Sequence, residues 1–406
     1  MSARLSDQPW LNASATRAVI AALEAAGGAG CARFVGGCVR NALIGQPVAD
    51  VDIATTMTPE DVDRAIRAAG LKAVPTGIAH GTVTAVAERT PFEITTLRRD
   101  VSTDGRNATV AFTDDWAEDA GRRDFRLNAL YAAADGQVFD PTGEGVADAL
   151  AGRIVFVGDP ETRIREDFLR ILRFFRFHAW YGRGDPDAAA LAACRSLAPG
   201  MTRLSAERVS SELMKLLSAP DPRAAVAAMA DAGVLAQVLP EAGLTPLFDA
   251  AVEQEADATA RLMMLLPPDE AVVRNATARL RFPNVARDRL SFAARAFPAV
   301  SLSMSDRDAR AVLYRHRPQA VRDAVRRRWA EAPDRADDAR RLLGLADGWA
   351  RPRLPVGGRD VARLGVEPGP ETGRLLKAFE EAWIAEDFPA DGHAERLAAL
   401  VTAPRA

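Results

Sequence analysis

Downstream of Arg163 the chain carries a single kind of pattern. Apolar residues recur at helical spacing, with Ala, Leu and Arg filling the turns, and only short Pro/Gly breaks interrupt at Gly182 to Pro186, Pro220 to Pro222 and Pro267 to Pro268. That pattern keeps sheet out of most of the molecule and leaves helix-on-helix packing to bury the apolar faces. Upstream the signal alternates. Leu11 to Ala26 and Pro59 to Ala69 have helical spacing, whereas Ala32 to Val35, Val51 to Ile53, Thr82 to Ala87, Phe92 to Leu97 and Val110 to Phe112 read as short strands. The expectation is a small α/β head, a mixed sheet with helices, followed by an all-α remainder. A further break at Arg351 to Gly358, with two prolines and two glycines, sets off a tail of about 50 residues. The divisions expected are 1–138, 139–218, 219–350 and 351–406, and no fixed-period repeat indicates a solenoid.

Composition narrows the classes. With 406 residues, 48% hydrophobic and 26% charged, the chain can bury several cores. No apolar run approaches the roughly 20 residues that span a bilayer, and the first residues lack the apolar stretch of a secretory signal, so the cytoplasm is the expected compartment and no membrane partner is implied. Cys31, Cys38 and Cys194 form neither an even disulfide set nor a CxxC pair and read as reduced core thiols. Four histidines, His80, His178, His316 and His393, make a multi-histidine metal site a poor expectation. The formal net charge is −3, but only Lys72, Lys215 and Lys377 among 52 basic residues are lysines. Arginine offers planar, bidentate donors to phosphates and base edges. A GC-rich coding sequence explains the same excess equally well.

The chemistry concentrates in two places. In the first, Gly36-Gly37 follows a strand and precedes Arg40, then Asp50 and Asp52. Paired glycines let backbone amides approach a polyphosphate, with Arg40 meeting the same phosphates, although an ordinary strand-to-helix turn uses the same residues. Residues two apart on a strand share a face, so Asp50 and Asp52 would converge, repel, and call for a hard cation such as Mg²⁺. The second place is Glu166 to Arg176. On one helix, Asp167, Arg170, Arg173 and Arg176 would form a slanted polar stripe, with Phe168, Leu169, Ile171, Leu172, Phe174 and Phe175 around the rest. So apolar a helix belongs in the interior, and its arginines should then line a cleft; a solvated face with i,i+3 ion pairs is the plainer alternative.

Gly36-Gly37-x-Val39-Arg40 with Asp50-x-Asp52 resembles the first signature of the class II tRNA nucleotidyltransferases, the family of CCA-adding enzymes and bacterial poly(A) polymerases. Arg122-Arg123-Asp124-Phe125-Arg126-Leu127-Asn128-Ala129 resembles the family's RRDFTxNA motif, with Arg126 where threonine is usual. Asp140-x-x-Gly143-x-Gly145-x-x-Asp148 resembles the neck-entry motif, and Glu166-Asp167-x-x-Arg170 the EDxxR element. Leu204 to Leu217, with Ser205 as helix N-cap and Glu207 and Arg208 behind it, resembles the last motif and reads as structural. His80-Gly81-Thr82 is similar to another family element, and Arg99 to Asn107 to its mobile loop; no HD phosphohydrolase module is visible.

The resemblance implies a nucleotidyltransferase-type head, neck, body and tail that add C, C and A to a tRNA 3′ end from CTP and ATP, releasing pyrophosphate. It implies Mg²⁺ on Asp50 and Asp52, with Glu93 a candidate third carboxylate that equally suits a salt bridge. Gly37, Arg40 and Arg123 would meet the triphosphate, Asp167 and Arg170 would read the base, and Arg173 and Arg176 would make triphosphate or neighbouring contacts. Glu166 would orient the base-reading pair. Body and tail would grip the tRNA elbow through phosphates, with Arg351, Arg353, Arg359, Arg363 and Arg374 scattered near the end. No protein partner is implied. The alternatives are a poly(A) polymerase on the same scaffold, an enzyme adding only CC or only A, and a catalytically silent RNA-binding descendant; a mildly acidic total and a weakly charged N-terminus favour tRNA over varied RNAs.

Overall fold

The computed structural model describes residues 3–5, 8–78, 81–104 and 107–402, with backbone alone for residues 100–104 and 107–110. His80 and the Gly105-Arg106 pair lie outside the described residues. The chain divides into two compact units, Met1–Pro240 and Glu241–Ala406.

The first unit is built on a seven-stranded mixed sheet. Its strands are β1 (Ala32–Val35), β2 (Asp52–Thr55), β3 (Lys72–Gly77), β4 (Thr82–Ala87), β5 (Thr90–Thr96), β8 (Tyr131–Ala132) and β9 (Val138–Phe139), in the order β3-β4-β5-β2-β1-β8-β9. Every neighbouring pair is antiparallel except β2 and β5, which run parallel and align Asp52 with Glu93. Strands β6 (Arg98–Asp104) and β7 (Asn107–Phe112) form a separate antiparallel pair. The segment expected to be a mobile loop from the family resemblance, Arg99 to Asn107, has its described residues in the β6–β7 ladder. Its polar, alternating sequence carries none of the apolar signal by which a buried strand is recognised, and main-chain pairing alone sets it.

The head helices are α1 (Pro9–Asn12), α2 (Ser14–Gly27), α3 (Gly37–Leu43), α4 (Pro59–Ala68) and α5 (Trp116–Gly121). Helix α4 starts where the local chemistry dictates: the Thr58 side chain accepts from the Asp61 amide, Pro59 sits at the first helical position, and Glu60 and Asp61 face the positive helix end. Val19, Ile20 and Leu23 of α2 and Val62 and Ile66 of α4 are buried with Ile53, Val83 and Ile94 of the sheet.

Seven helices complete this unit: α6 (Gly145–Ala151), α7 (Pro160–Glu166), α8 (Leu169–Tyr181), α9 (Ala188–Leu197), α10 (Ala206–Leu217), α11 (Arg223–Asp231) and α12 (Val234–Val238). The stretch read as one helix from Glu166 to Arg176 is two. Asp167, with extended backbone (φ −152, ψ 107), ends α7, and its Oδ1 accepts from the Leu169 amide (3.1 Å) as α8 begins. An aspartate competing locally for backbone donors breaks the helix, so Asp167 stands off the stripe that continues through Arg170, Arg173 and Arg176. The α8 phenylalanines are buried as expected: between ring centroids, Phe174 lies 6.5 Å from Phe125 and 6.0 Å from Phe156, and Phe177 lies 5.2 Å from Phe125.

The second unit is all helical among the described residues: α13 (Pro246–Glu253), α14 (Ala258–Leu265), α15 (Glu270–Arg279), α16 (Asn284–Ala296), α17 (Asp306–Arg315), α18 (Pro318–Glu331), α19 (Ala336–Asp347), α20 (Gly358–Arg363), α21 (Pro370–Ala385) and α22 (His393–Thr402). One core gathers Leu313, Val321, Val325 and Leu342; a second gathers Val361, Leu375, Phe379 and Trp383 around Tyr314 of α17. The buried Asp323 carboxylate is met by the Arg289 guanidinium through two 2.8 Å hydrogen bonds. Cys31, Cys38 and Cys194 are all buried and unpaired, as read from the sequence. Among the described residues no helix is long and apolar enough to cross a membrane.

Candidate active site

At the end of β1 the chain turns at Gly36 (φ 71, ψ −118), a conformation that a side chain rarely adopts, and enters α3 at Gly37. Strand β2 runs antiparallel beside β1, with Phe34 opposite Ile53. One residue further along, Asp52 comes beside this turn, and the Cys38 Sγ lies 3.8 Å from its carbonyl oxygen. On its other side Asp52 is the register partner of Glu93 on β5, so both side chains leave the same face. The strand begins at Asp52. Asp50 is in the non-helical segment before it, and strand alternation therefore does not bring the two aspartates together; proximity does.

That proximity has an electrostatic signature. The Asp52 carboxyl is pushed up to about 6, first by burial of its charged form, then by Glu93, then by Asp50, with Arg123 pulling the other way. Its side chain keeps substantial exposure to solvent. Glu93 has no salt-bridge partner among the described residues, so the ion-pair alternative raised for it finds no support. Three carboxylates at one strand end are hard oxygen donors that repel until a cation joins them, which suits a hard divalent ion. Among the described residues, no three His, Cys, Asp or Glu side chains already stand close enough to hold a metal ion.

Arg123 reaches the Gly36 turn. Its Nη1 would lie 3.6 Å from a Cβ placed on Gly36. The guanidinium is fixed from behind by Asp119, which accepts from Arg123 Nη2 (2.9 Å), Arg122 Nη2 (2.7 Å) and the Tyr131 hydroxyl (2.7 Å). Burial alone would raise the Asp119 carboxyl; Arg123 and Arg122 outweigh it and hold it at about 2. Asp119 also accepts from the Arg98 amide (3.3 Å), so one buried carboxylate ties the arginine pair to the base of the β6–β7 hairpin. Sequence reading missed Asp119. Its signal was there: an acid three and four residues ahead of the pair, one helical turn away.

The remaining arginines are held by partners. Arg40 is buried, with its guanidinium on Asn41 and Asn128 and 2.9 Å from the Tyr181 hydroxyl. Arg173 donates to Asp124 (Nε, 2.7 Å), and the Asn128 amide also donates to Asp124, so α8 is linked to α3 through the RRDF segment. Arg176 bonds Glu212 of α10 (2.6 Å). Arg170 pairs with Glu166 and donates to the carbonyls of Arg163 (2.8 Å) and Arg122 (3.0 Å). The stripe is therefore neither a solvated face nor a row of unpartnered cations. Asp167 is paired with Arg208 of α10 (2.6 Å) and not with Arg170. Glu166, expected to orient Asp167 and Arg170 together, pairs with Arg170, while the contact that sequence reading missed for Asp167 is Arg208. Ser205 occupies the N-cap position of α10 without a side-chain capping bond.

Arg126, in place of threonine, pairs with Glu144 and lies 3.7 Å from the buried Asp148. At Gly145 a Cβ would fall 2.5 Å from the Arg126 carbonyl oxygen, so this glycine is required for close approach of α6. Asp140 caps the same turn, accepting from the amides of Thr142, Gly143 and Val146.

A family model described as the poly A polymerase head domain matches residues 32–155, and one described as a probable RNA and SrmB-binding site of polymerase A matches 185–243. The mitochondrial CCA tRNA nucleotidyltransferase 1 of Mus musculus is 32% identical over 377 residues, spanning 86% of this chain and 82% of that protein. A CCA-adding enzyme of Streptococcus gordonii is 33% identical over 377 residues, spanning 89% and 90%. This chain belongs to the CCA-adding enzyme family. The crystal structure of the Bacillus stearothermophilus CCA-adding enzyme in complex with CTP superposes with a TM-score of 0.77 over 94% of both chains, at 26% identity. The Thermotoga maritima CCA-adding enzyme complexed with tRNA_CCA shares the fold at 19% identity, with a TM-score of 0.64. Within this family member, Gly36, Gly37, Asp52, Glu93 and Arg123 come together at one end of the sheet with Asp50 near, Arg40 lies against Gly37 and is held by Asn41, Asn128 and Tyr181, and Arg170, Arg173 and Arg176 are ion-paired to Glu166, Asp124 and Glu212.

Proposed function

We propose that this protein adds C, C and A to the 3′ end of tRNA, taking CTP and ATP without a nucleic-acid template and releasing pyrophosphate. The observation that carries the reading is the strand register that sets Asp52 beside Glu93, next to the Gly36-Gly37 turn that Arg123 reaches, in a chain of the CCA-adding enzyme family. Asp50 and Asp52, with Glu93 beside them, would hold Mg²⁺; bound there, the ion supplies Lewis acidity to the attacking 3′ hydroxyl and the departing pyrophosphate. Arg123, kept charged by Asp119, orients the triphosphate, with Gly37 allowing backbone approach. Arg40 supports that turn through Asn128 and Tyr181.

Asp167 and Arg170 choose the base. Cytosine and adenine each present an exocyclic amino donor beside a ring-nitrogen acceptor, which a carboxylate and a guanidinium satisfy together, whereas uracil and guanine present the reverse. Arg173 and Arg176, tied to Asp124 and Glu212, hold α8 in place for that choice. We assign residues 1–138 to the nucleotidyltransferase head, 139–218 to the neck, 219–350 to the body and 351–406 to a tRNA-binding tail. Three buried free thiols suit a reducing compartment such as the cytoplasm.

The test is to incubate the purified protein with Mg²⁺, CTP and ATP on tRNA transcripts ending before CCA, after C and after CC, and to sequence the 3′ ends. Stopping at CCA on all three supports the reading. Unbounded A tails on tRNA and unstructured RNA alike would make it a poly(A) polymerase.

A further inference from the structure

Between α9 and α10 the chain makes a 3₁₀ turn, Ala198–Arg203, with Gly200 inside it. Gly200 has none of the left-handed backbone that calls for glycine elsewhere in the chain, and a glycine inside a helical turn costs stability relative to alanine. Space explains it. A Cβ placed on Gly200 would fall 1.9 Å from Phe168 Cε1, 2.4 Å from Cδ1 and 2.5 Å from Cζ, so the phenylalanine ring lies directly on the glycine. The same turn reaches the ring with a cation, the Arg203 guanidinium carbon lying 5.5 Å from the ring centroid. A ring seated this closely cannot make room by a small shift; a methyl group at position 200 has to expel it.

Phe168 stands between the two base-reading positions, where α7 gives way to α8. The Asp167 carbonyl accepts from the Arg170 amide (3.0 Å) and the Phe168 carbonyl from the Ile171 amide (3.2 Å), so Asp167, Phe168 and Arg170 belong to one hydrogen-bonded turn. The segment that follows Gly200 ties Asp167 a second time, because Arg208 of α10 bonds its Oδ2 (2.6 Å). The place of Asp167 relative to Arg170 therefore depends on the Ala198–Arg203 turn as well as on α8. We propose that Gly200 is a specificity-determining position: its bare backbone seats the Phe168 ring, and that seat sets the interval at which Asp167 and Arg170 distinguish cytosine and adenine from uracil and guanine. Gly200 and Phe168 are positioning residues that act through Asp167 and Arg170. The proposal rests on the reading of that pair as the base-reading one.

The experiment uses the full chain. Values of kcat and KM are measured for CTP and UTP on a tRNA transcript ending before CCA, and for ATP and GTP on one ending after CC. The proteins are the wild type, Gly200→Ala, Phe168→Ala, the double variant, Asp167→Ala, and Gly344→Ala, a helical glycine with no atom within 4 Å of a Cβ placed on it. Gly200→Ala should lower kcat/KM for CTP and ATP, reducing the CTP-over-UTP ratio about tenfold, and leave inhibition by pyrophosphate unchanged. Phe168→Ala should lower the ratio as far. Adding Gly200→Ala to it should lower the ratio no further, because the ring that clashes is gone. Gly344→Ala should keep the ratio. Melting temperatures identify a variant that no longer folds, and Phe168→Ala carries the test if Gly200→Ala is one. An unchanged ratio, or an equal fall for all four nucleotides, would overturn the seat as a determinant of specificity. If Asp167→Ala kept the ratio, the base-reading assignment itself would fail; a ratio changed by Asp167→Ala and not by Gly200→Ala would sink the seat alone.

Discussion

Asp52→Asn should abolish nucleotide transfer and, in the absence of divalent ions, make the protein more stable at neutral pH. The folded Asp52 carboxyl titrates near 6 against an ordinary value of 3.8. A folded state that binds the proton more tightly than the unfolded chain loses stability as pH rises through the window between the two values, from about 4 to about 6. A displacement of about two units corresponds to about 3 kcal/mol when fully expressed. Asp52 is solvent-exposed, and screening reduces the expected gain from neutralising it to about 1 kcal/mol. In a unit of this size that is a rise of about 2–4 °C in Tm. The assay is differential scanning calorimetry of wild type and variant in EDTA from pH 3.5 to 8. The difference should be near zero below pH 4, grow to pH 6 and stay constant above. Adding Mg²⁺ should then stabilise the wild type and leave the variant where it was. A variant that melts lower than wild type at pH 7.5, or a gap independent of pH, would refute the account of a carboxyl raised by burial and then by its acidic neighbours Glu93 and Asp50.

Other expectations follow from the same geometry. Asp119→Ala leaves two arginines without their anchor in a buried site and should cost about 3–5 kcal/mol in thermal unfolding, whereas Arg122→Ala, which leaves Asp119 still paired with Arg123, should cost less. Because the folded Asp119 carboxyl lies near 2, its contribution is complete above pH 4 and should disappear as pH falls from 4 toward 2. Gly145→Ala drives a Cβ into the Arg126 carbonyl and should lower Tm by several degrees, while Arg126→Thr, which loses the pair with exposed Glu144 and the 3.7 Å contact with buried Asp148 that Arg153 still neutralises, should change it by the equivalent of about 1 kcal/mol. Asp167→Ala should leave tRNA binding intact but lower the kcat/KM ratio of CTP over UTP; an unchanged ratio would remove Asp167 from base selection.

What the sequence made legible was periodicity and local chemistry. Strand β4 was readable to the residue from Thr82 to Ala87, and Pro59 with Thr58 marked the start of α4, because those signals are local. Strands β3, β8 and β9 escaped, being edge or two-residue pieces whose pairing depends on partners distant in sequence. In the site, the paired glycines and acids were visible by residue type, whereas the arginine network was not. Arg173 on Asp124, Arg176 on Glu212 and Asp167 on Arg208 join positions 36 to 49 residues apart, and no spacing rule along the chain forecasts them. The break at Asp167 was missed for a different reason: its side chain prefers the Leu169 amide to helix continuation, a choice that apolar periodicity on both sides conceals.

The parallel pairing of β2 with β5 sets the distance between Asp52 and Glu93 by main-chain hydrogen bonding, which is indifferent to side-chain identity. Everything between those strands, from α4 through β4, returns the chain to its starting level before β5 begins. A change of loop length within that excursion therefore leaves the two acids at one fixed interval as long as the two strands still pair. The spacing of these two acids is thus a property of the backbone ladder and not of the side chains packed around it.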